Sequence, residues 1–355
     1  MKRAFSGMGL CVLAVFVATT VFQNAEVSAQ PIELLYGAAE HENGPYCRAM
    51  KEYAGELKEK TNGRVNAKFA FGGSLGKMGE FYDLLVRGVC DVALILPTLG
   101  NPGSFHMAEI IGLPWVLPRA EITSKALQEY TKRGYVAKDF AKIKLLTASG
   151  GHGEFLFTKK KPVASLADLK GLKIHGSTPA IQHKIKLMGG VPVHINLPDL
   201  YPALQKGTID GLIGNWAFMV MFKLSEVTRY ATGPGTGGVV FIGTAMKLDT
   251  WNKMPADVKG ILEGMSDRYS AKYAANWDAL CDAGREAFTK EGGKLLEWKA
   301  EDLAKMDNLY KPIWEDWIAA GEKKGLPAKK ATSDLYGIIK NLGVDPPAIG
   351  YKPGP

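Results

Sequence analysis

After its first 30 residues the sequence lacks any long apolar run, and it contains few cysteines. No later stretch approaches the roughly eighteen consecutive apolar residues of a membrane-spanning helix, so we expect the remaining chain to be soluble. Four cysteines occur in 355 residues, and three of them, Cys47, Cys90 and Cys281, follow the N-terminal segment. Three thiols cannot all pair with one another, and their spacing resembles no disulfide framework. The sequence leaves open whether any bridge forms, and core packing is the simplest role for Cys90.

The sequence also lacks the common signatures of catalysis and of cofactor binding. None of its six histidines belongs to a His-Glu-x-x-His motif, and no Cys-x-x-Cys pair occurs, so a zinc site has no support. There is no Gly-x-Ser-x-Gly elbow, and the glycine-rich stretches "SGGHGEF" (149–155) and "GPGTGG" (233–238) lack the Gly-Lys-Ser/Thr of a phosphate loop. They are more simply tight loops or crossovers between domains. We therefore predict no catalytic residues, no metal and no cofactor, and we do not expect an enzyme.

Positive charge of the kind that binds nucleic acids is missing as well. The formal net charge is +8, but the basic residues are scattered among acidic ones, and the densest run is Lys159–Lys161. No stripe of basic residues interleaved with aromatic residues occurs. The composition therefore indicates a solvated basic surface and no nucleic-acid partner.

The N-terminus, in contrast, carries an export signal. Two basic residues at positions 2 and 3 precede an apolar run over 8–22, and the small-residue pattern "VSA" predicts cleavage after Ala29. A charged start, a short apolar core and a small-x-small end are typical of a secretory signal peptide. A lipoprotein anchor at Cys11 is the alternative, but the preceding Leu10 is too large and the cysteine comes too early. We predict that residues 1–29 are a signal peptide and that the mature protein is periplasmic.

A short unit occurs twice in the chain. "LLVRGVCDVALI" and "LQKGTIDGLIGNW" share the pattern Leu-x-x-Gly-x-x-Asp followed by apolar residues. The matching positions are Leu85, Gly88 and Asp91, and Leu204, Gly207 and Asp210. In each unit we expect a helix to end at the glycine, which tolerates the left-handed backbone, before an apolar strand begins. Chance similarity of so short a pattern is the alternative. The paired unit favours two similar α/β domains over a single sheet.

Segments with strand and helix patterns alternate along the chain. The strand-like segments include "IELLYGAA", "VNAKFAF", "IKLLTAS", "FLFTKK" and "LKIH", and helices are predicted over about 45–60 and in "EITSKALQEYTKRG". This alternation implies mostly parallel sheets covered by helices, and the length exceeds what one core usually holds. We predict a two-domain α/β protein. The first domain comprises 30–153 plus about 241–280, and the second comprises 154–240 plus about 281–355.

A long helix is predicted after Pro255. Apolar residues recur there at steps of three and four for about 35 residues, and proline suits the first helical position. At about 1.5 Å per residue the helix would be roughly 50 Å long, which exceeds the diameter of either predicted domain. We expect it to bridge both domains. A break at Gly264 or Gly284 is the alternative.

The second copy of the repeated unit ends on Gly214-Asn215-Trp216, which places an amide beside an aromatic ring. One interpretation is an ordinary exit from a strand into a loop. The other is that the strand end lines a pocket, because parallel sheets bind ligands beyond the carboxyl ends of their strands and domain interfaces are common pocket sites. Two facing domains also form a cleft that can close by hinge motion. We interpret Asn215 and Trp216 as pointing into an interdomain cleft.

Six segments, in order, resemble the solute-binding subunits of tripartite ATP-independent periplasmic (TRAP) transporters, the DctP-like family. They are "FAFGGSLGKMGEFYDLLVRGVCDVALI", "IIGLPWVL", "KPVASLADLKGLKIH", "MGGVPVHINLPDLYPALQKGTIDG", "KLSEVTRYAT" and "WNKMPADVKGIL". The resemblance covers nearly the whole mature chain. It implies a periplasmic binding protein fold of two α/β domains, joined by crossing strands and a long helix, that close on a ligand. It also implies delivery of that ligand to a two-subunit membrane permease driven by an ion gradient.

The sequence departs from this family at positions that contact the ligand. The family usually has arginine after "GLKI", where it grips a ligand carboxylate as a two-pronged donor, but this sequence has His175. Many family members carry an asparagine four residues after the aspartate of the Asp-Gly pair, which is Asp210 here. This sequence has Gly214 at that position and Asn215 one position later. A second arginine, expected before "KPV", is absent, and Glu154 and Phe155 stand in that region. We therefore expect a neutral, aromatic or nitrogen-bearing solute in place of a C4-dicarboxylate. A monoanion bound through His175, which can donate hydrogen bonds and can pair with an anion when protonated, is the alternative.

Ten residues near predicted strand ends are expected to line the cleft. They are Glu40, His41, Asn43, Trp115, Glu154, Phe155, His175, Asn215, Trp216 and Phe218. Core packing is the alternative for each aromatic residue, and "AFMVMF" around Phe218 also fits a buried segment. The predicted partners are a small organic solute and TRAP permease subunits, and the protein is expected to be monomeric. The rival functions are an exported enzyme acting in the same cleft and a sensor or adaptor that presents the solute to another partner.

Overall fold

The computed structural model describes residues 30–101, 103–345 and 348–353, so the predicted signal peptide lies outside the described residues. Strands and helices alternate along this part of the chain. The strands are β1 (Ile32–Gly37), β2 (Val65–Ala70), β3 (Val92–Ile95), β4 (Ile143–Gly150), β5 (Phe155–Thr158), β6 (Lys173–His175), β7 (Val191–Val193), β8 (Gly211–Gly214), β9 (Tyr230–Gly233), β10 (Phe241–Lys247) and β11 (Lys294–Glu297). The helices are α1 (Pro45–Lys60), α2 (Phe81–Arg87), α3 (Pro97–Gly100), α4 (Ala120–Lys132), α5 (Leu166–Leu169), α6 (Pro179–Leu187), α7 (Leu200–Lys206), α8 (Ala217–Met221), α9 (Leu248–Lys253), α10 (Ala256–Lys290), α11 (Ala300–Lys323) and α12 (Ala328–Asn341).

The strands form two separate sheets, which confirms the predicted two-domain α/β fold. The first sheet has the order β2-β1-β3-β10-β4, and the second has the order β11-β9-β5-β8-β6-β7. Parallel pairings join β1 to β2 and β3 in the first sheet. In the second sheet they join β6 to β7 and β8, and β9 to β11. Ligand sites in such sheets lie beyond the carboxyl ends of the parallel strands.

The antiparallel pairings have one common cause. Among the described strands, each of them involves β5 or β10. Each of these two strands follows a segment that crosses from one sheet to the other, over 151–154 before β5 and over 234–240 before β10. The chain therefore enters each sheet from the edge at which the parallel strands end. The prediction of mostly parallel sheets did not anticipate this effect of the crossovers.

The repeated unit forms the same structure in both sheets. α2 ends at Gly88, with φ of 76°, and α7 ends at Gly207, with φ of 78°. Beyond each glycine, a backbone N–H returns to a carbonyl in the last turn of the helix, from Val89 to Leu84 and from Thr208 to Ala203, at 2.9 Å in both cases. This is the left-handed helix ending that glycine favours. The strands β3 and β8 follow directly, as predicted.

The aspartate of each unit holds the following strand to its parallel neighbour. Asp91 Oδ2 accepts the backbone N–H of Leu35 at 3.0 Å, next to the pairing of β3 with β1. Asp210 Oδ2 accepts the backbone N–H of Lys173 at 2.8 Å, next to the pairing of β8 with β6. A charged acceptor strengthens a hydrogen bond to a backbone donor. The repeated aspartates are thus structural residues.

The long helix α10 runs unbroken for 35 residues, which confirms the predicted length of roughly 50 Å. It packs against α1, α4 and β4 beside the first sheet and against α8 beside the second, so it spans both domains as predicted. Gly264 has open space around it. At Gly284 an added Cβ would lie 1.9 Å from the carbonyl oxygen of Trp216. Glycine at this position allows a close approach between α10 and the segment after β8, and neither glycine breaks the helix.

The C-terminal helices return to both parts of the molecule. α12 packs on α4, and its Leu335 and Ile339 join Leu127 in the core beside the first sheet. α11 contacts both α12 and α6.

The exact domain boundaries stay a prediction. In the part of the chain that the structure describes, no helix is both long and apolar enough to cross a membrane. Cys47, Cys90 and Cys281 are buried free thiols.

Candidate ligand-binding site

Adjacent strands bring four of the predicted site residues to one edge of the second sheet. β5 runs antiparallel to β8, so its first residue, Phe155, pairs with Gly214, the last residue of β8. β6 runs parallel to β8 and ends at His175. Asn215 and Trp216 follow β8 directly. The start of β5 and the ends of β6 and β8 therefore meet at the edge where ligands of parallel sheets bind.

The ring of Trp216 is packed among other aromatic rings. The residue is only 2% exposed. Its ring centroid lies 4.8 Å from that of Phe155, 5.0 Å from that of Phe157 and 5.4 Å from that of Phe288 on α10. These contacts agree with the core-packing alternative for Trp216. Phe155 is partly exposed and forms the accessible side of this aromatic cluster.

Asn215 and Phe218 occupy the turn that follows β8. Asn215 is partly exposed, and its Oδ1 accepts the backbone N–H of Ala217 at 3.2 Å. Within the described residues its amide nitrogen has no hydrogen-bond partner, so this N–H₂ group can donate to a ligand. Phe218 is also partly exposed, and its ring packs edge-on against Phe222 with centroids 5.3 Å apart.

His175 is fully buried at the end of β6. Its Nδ1 accepts the backbone N–H of Ile195 at 3.2 Å, so a neutral ring must carry its proton on Nε2. Within the described residues this Nε2 atom has no hydrogen-bond partner. Burial and the nearby His194, with ring centroids 6.1 Å apart, lower the pKa of His175 to about 4. At neutral pH His175 is therefore uncharged and can donate a hydrogen bond through Nε2.

The three predicted residues after β1 lie in the loop that leads into α1. Glu40 Oε2 accepts the backbone N–H of Cys47, in the first turn of α1, at 2.8 Å. Burial raises the pKa of Glu40, and the hydrogen bonds from Cys47 oppose that shift. His41 and Asn43 are exposed, and the Asn43 N–H donates to His41 Nδ1 at 3.3 Å. Glu40 thus caps α1, while His41 and Asn43 are exposed to solvent in the loop after β1.

Trp115 lies in the core beside the first sheet. It is 1% exposed, its Nε1 donates to the carbonyl of Ile110 at 2.6 Å, and its ring meets Trp314 edge-on at 4.8 Å. Every polar and apolar part of the side chain is therefore engaged within the protein. This arrangement agrees with the core-packing alternative for Trp115.

Glu154 lines a cavity whose lining does not include its neighbour Phe155, which instead packs on Trp216, as expected where successive residues of an extended segment point to opposite faces. The cavity has a volume of about 310 Å³, and Glu154 Oε2 accepts the hydroxyl of Thr236 at 3.2 Å. Lys184 on α6 lines the same cavity and donates to the carbonyls of Gly112, at 3.2 Å, and Gly237. Burial raises the pKa of Glu154, and the positive charge of Lys184 opposes the shift.

Lys184 is not among the site residues predicted from the sequence. In the sequence it is one of many lysines, and nothing in "IQHKIKLMGG" separates it from its neighbour Lys186. The structure leaves Lys184 2% exposed, whereas Lys186 is exposed. Helical periodicity around the buried Ile181 and Ile185 was the available signal, since position 184 lies on the same helix face. Among the described residues, no three His, Cys, Asp or Glu side chains cluster as metal ligands.

Comparison with known proteins identifies clear relatives. A family model named DctP and described as bacterial extracellular solute-binding protein, family 7, matches residues 36–320. The C4-dicarboxylate-binding periplasmic protein DctP of Rhodobacter capsulatus is 26% identical over 318 residues, which cover 86% of this chain and 92% of that protein.

Solved structures share the fold. A TRAP solute binding protein from a marine metagenome, specific for aromatic acid ligands and in complex with metahydroxyphenylacetate, is 25% identical with a TM-score of 0.78, covering 87% of this chain and 99% of that chain. A TRAP periplasmic solute binding protein from Desulfovibrio salexigens has a TM-score of 0.80 at 23% identity, covering 87% of this chain and 96% of that chain. The similarity to the Desulfovibrio salexigens protein shows a shared fold and nothing further.

Proposed function

The chain belongs to the DctP family of bacterial extracellular solute-binding proteins, and from this premise we propose that it captures a small organic solute in the periplasm for a TRAP transporter. The solute binds in the cleft between the two domains. The protein, a monomer exported by its N-terminal signal peptide, then delivers the solute to the membrane permease subunits. The proteins that resemble it are solute-binding proteins, and this supports binding without chemical conversion of the solute.

The observation that carries the proposal is the shared edge of β5, β6 and β8. Phe155, His175 and Asn215 lie at or directly beside this edge, and we propose that the ring of Phe155, the Nε2–H of His175 and the amide N–H₂ of Asn215 face the solute. All three groups are suited to a flat organic molecule with hydrogen-bond acceptors, because the ring stacks and the two N–H groups donate.

The same three residues define the class of solute. A C4-dicarboxylate carries two negative charges and is best held by bidentate arginine donors. His175 is uncharged near neutral pH, since its pKa is lowered to about 4, and Phe155 provides no charge. We propose a neutral, aromatic or nitrogen-bearing solute, with an aromatic monoanion as the second choice. The aromatic acid bound by the marine metagenome relative is consistent with a stacking contact.

The ten predicted residues then divide into four groups. Phe155, His175, Asn215 and Phe218 contact the solute from the second sheet. Glu40, His41 and Asn43 approach it from the loop after β1, where Glu40 acts mainly by holding that loop to α1. Trp115 and Trp216 support the cleft by packing, and Glu154 lies on the other side of the crossing segment from the solute.

A ligand screen by thermal shift, at pH 6 and pH 8, tests the proposal. Ligands that bind only the folded state raise the melting temperature by mass action. We expect aromatic and nitrogen-containing solutes to raise it and to be recovered unchanged. Succinate, malate and fumarate should leave it unaltered at both pH values. Micromolar binding of these dicarboxylates would refute the proposed solute class, and conversion of any ligand would refute the binding-protein function itself.

A further inference from the structure

The second sheet has another edge, opposite the solute site, where basic residues collect. β9 runs antiparallel to β5, as β8 does, and the remaining strands run in the same direction as these two. Apart from β5, the strands of this sheet therefore begin at the edge where β5 ends. The charged residues at these strand ends, or up to two residues outside them, form what we call the basic edge: Lys159, Lys160, Lys173, Asp210, Arg229 and Lys294.

Backbone hydrogen bonds place the basic edge in one row. The N–H of Lys294 donates to the carbonyl of Arg229 at 2.8 Å, and the N–H of Arg229 donates to the last carbonyl of β5 at 2.9 Å. The N–H of Lys159 donates to the carbonyl of Asp210 at 3.0 Å, and the N–H of Asp210 donates to that of Lys173 at 2.8 Å. Neighbouring strands lie about 4.8 Å apart, so the row from β11 to β6 is about 19 Å long.

The positive charges of this row are accessible and are not neutralised. Lys159 is partly exposed, and the other four basic residues are exposed. Within the described residues, none of the five forms an ion pair. Lys159 Nζ and Arg229 Nη1 donate to carbonyl oxygens, which carry no full charge. Five positive charges and one negative charge give the basic edge a net formal charge of +4.

The corresponding edge of the first sheet lacks this excess of positive charge. β10 runs antiparallel to β3 and β4, so that edge comprises the start of β1 to β4 and the end of β10. The same count there gives three basic and two acidic residues: Arg64, Lys142, Lys247, Asp91 and Asp249. Arg64 forms an ion pair with Asp257, and Lys247 forms one with Asp249. Of the two edges, only that of the second sheet therefore carries a large excess of positive charge.

The shape and chemistry of the basic edge fit an extended anionic surface. A single small anion cannot contact groups spread over about 19 Å, and lysine, which supplies four of the five basic residues, is depleted at protein–protein interfaces. Two exposed aliphatic side chains flank the row. Leu295 follows Lys294 and is 48% exposed, and Val191 in β7 pairs with Lys173 and is 45% exposed. Basic residues attract anionic lipid headgroups, and aliphatic side chains enter the boundary between headgroups and acyl chains.

We propose that the basic edge docks the protein on a membrane surface of anionic phospholipids. Its ammonium and guanidinium groups pair with the headgroup phosphates, and Leu295 and Val191 contact the boundary below them. Phe155 and His175 lie at the opposite edge of the same sheet, so this contact leaves the proposed solute site open. The docking surface does not depend on which solute binds there.

Sedimentation with lipid vesicles tests the docking surface. We expect the purified protein without residues 1–29 to bind vesicles of phosphatidylglycerol and phosphatidylcholine in equal parts at about 0.05 M salt, at least tenfold more tightly than vesicles of phosphatidylcholine alone. Each basic residue at an anionic surface contributes about fivefold to binding. Lys160→Gln/Lys173→Gln/Lys294→Gln should therefore weaken binding about 100-fold. This variant keeps the carbonyl contacts of Lys159 and Arg229 intact.

The matched control is Lys138→Gln/Lys329→Gln/Lys340→Gln. It removes the same charge from exposed residues on the side of α4 and α12, which pack together beside the first sheet. It should weaken binding by less than about threefold, because salt screens charges that lie far from the lipid surface. Lys160→Glu changes the charge of the basic edge by two units in an exposed loop and should weaken binding about 25-fold. This single variant keeps the test valid if the triple variant of the edge is unstable.

Two results would overturn the proposal. The first is that the protein does not bind vesicles that contain phosphatidylglycerol, which would favour an acidic protein surface as the partner of the basic edge. The second is an equal loss of binding in the two triple variants, because the net charge of the protein would then account for the attraction without the basic edge.

Discussion

Glu154 and Phe155 are adjacent in the sequence, but the side chains around them differ in charge and in aromatic character. Phe155 lies at the edge of the second sheet with Trp216, the uncharged His175 and the amide of Asn215. Glu154 lies in a cavity with the buried ammonium of Lys184 and a second carboxylate, Glu109. The comparison shows how one extended crossing segment can separate a neutral, aromatic surface from a charged one, since alternate residues point to opposite faces. Substitutions on each side of this segment should therefore have different effects.

The largest effect is expected on the aromatic side, from Trp216→Ala. Removing a large aromatic side chain from a packed core costs about 3–5 kcal/mol of unfolding free energy. Trp216 is 2% exposed among Phe155, Phe157 and Phe288, so we expect a loss in this range, measured by urea denaturation. Trp251→Ala, at a partly exposed tryptophan, is the control and should cost clearly less. Unaltered stability with lost solute binding would instead assign the Trp216 ring to the solute.

On the charged side, Lys184→Met should lower the free energy of unfolding by about 3 kcal/mol, because the carbonyls of Gly112 and Gly237 lose a charged hydrogen-bond donor. Glu154 also loses the nearby positive charge that opposes its raised pKa. The double variant Lys184→Met/Glu154→Gln should recover part of that loss in the same urea experiment. If the loss of unfolding free energy in the double variant equals the sum of the losses in the two single variants, the two residues are not coupled.

The buried His175 makes stability depend on pH. Its pKa is about 4 in the folded state and about 6.5 when exposed, so the unfolded state binds more protons between these values. The stabilisation is complete above about pH 6.5 and is lost as the pH falls towards 4, by up to about 3 kcal/mol in unfolding free energy. His175→Asn should flatten this part of the curve of unfolding free energy against pH. Parallel curves for the two proteins would show that His175 titrates normally.

A smaller effect separates the two nitrogens of His175. In His175→Gln the amide can donate near the position of Nε2, and in His175→Asn the amide oxygen can accept the Ile195 N–H near the position of Nδ1. If the Nε2–H holds the solute, calorimetry should show about a tenfold loss of affinity, or about 1.4 kcal/mol, for His175→Asn and a smaller loss for His175→Gln. The reverse order would assign the ring to holding the segment around Ile195.

The sequence predicted those features that depend on local pattern. The glycine endings at Gly88 and Gly207 and the 35-residue helix α10 follow from backbone preference and helical periodicity, and the structure confirms them. The rule for parallel sheets predicted that the ends of β6 and β8 meet at one edge. Phe155, the first residue of β5, joins them only because β5 runs antiparallel to β8 and pairs Phe155 with Gly214, which the sequence did not predict.

Features that depend on three-dimensional packing were beyond the sequence. Glu154 and Phe155 were both predicted to line one cleft. The sequence of a segment that crosses between two sheets does not indicate which of its side chains point into the cleft and which point away from it. The burial of Lys184 depends on carbonyls contributed by two distant segments. The tryptophan rings at 115 and 216 were indistinguishable from exposed stacking surfaces until their neighbours were known.

The most direct test of the account is the affinity of the best aromatic solute from the screen, measured by titration calorimetry at pH 6 and pH 8. An uncharged donor at His175 predicts the same affinity at both values within about twofold, because a group with a pKa of about 4 stays neutral throughout this range. An affinity that rises tenfold or more at pH 6, and loses that rise in His175→Gln, would show that a protonated His175 binds an anion, and it would contradict the account.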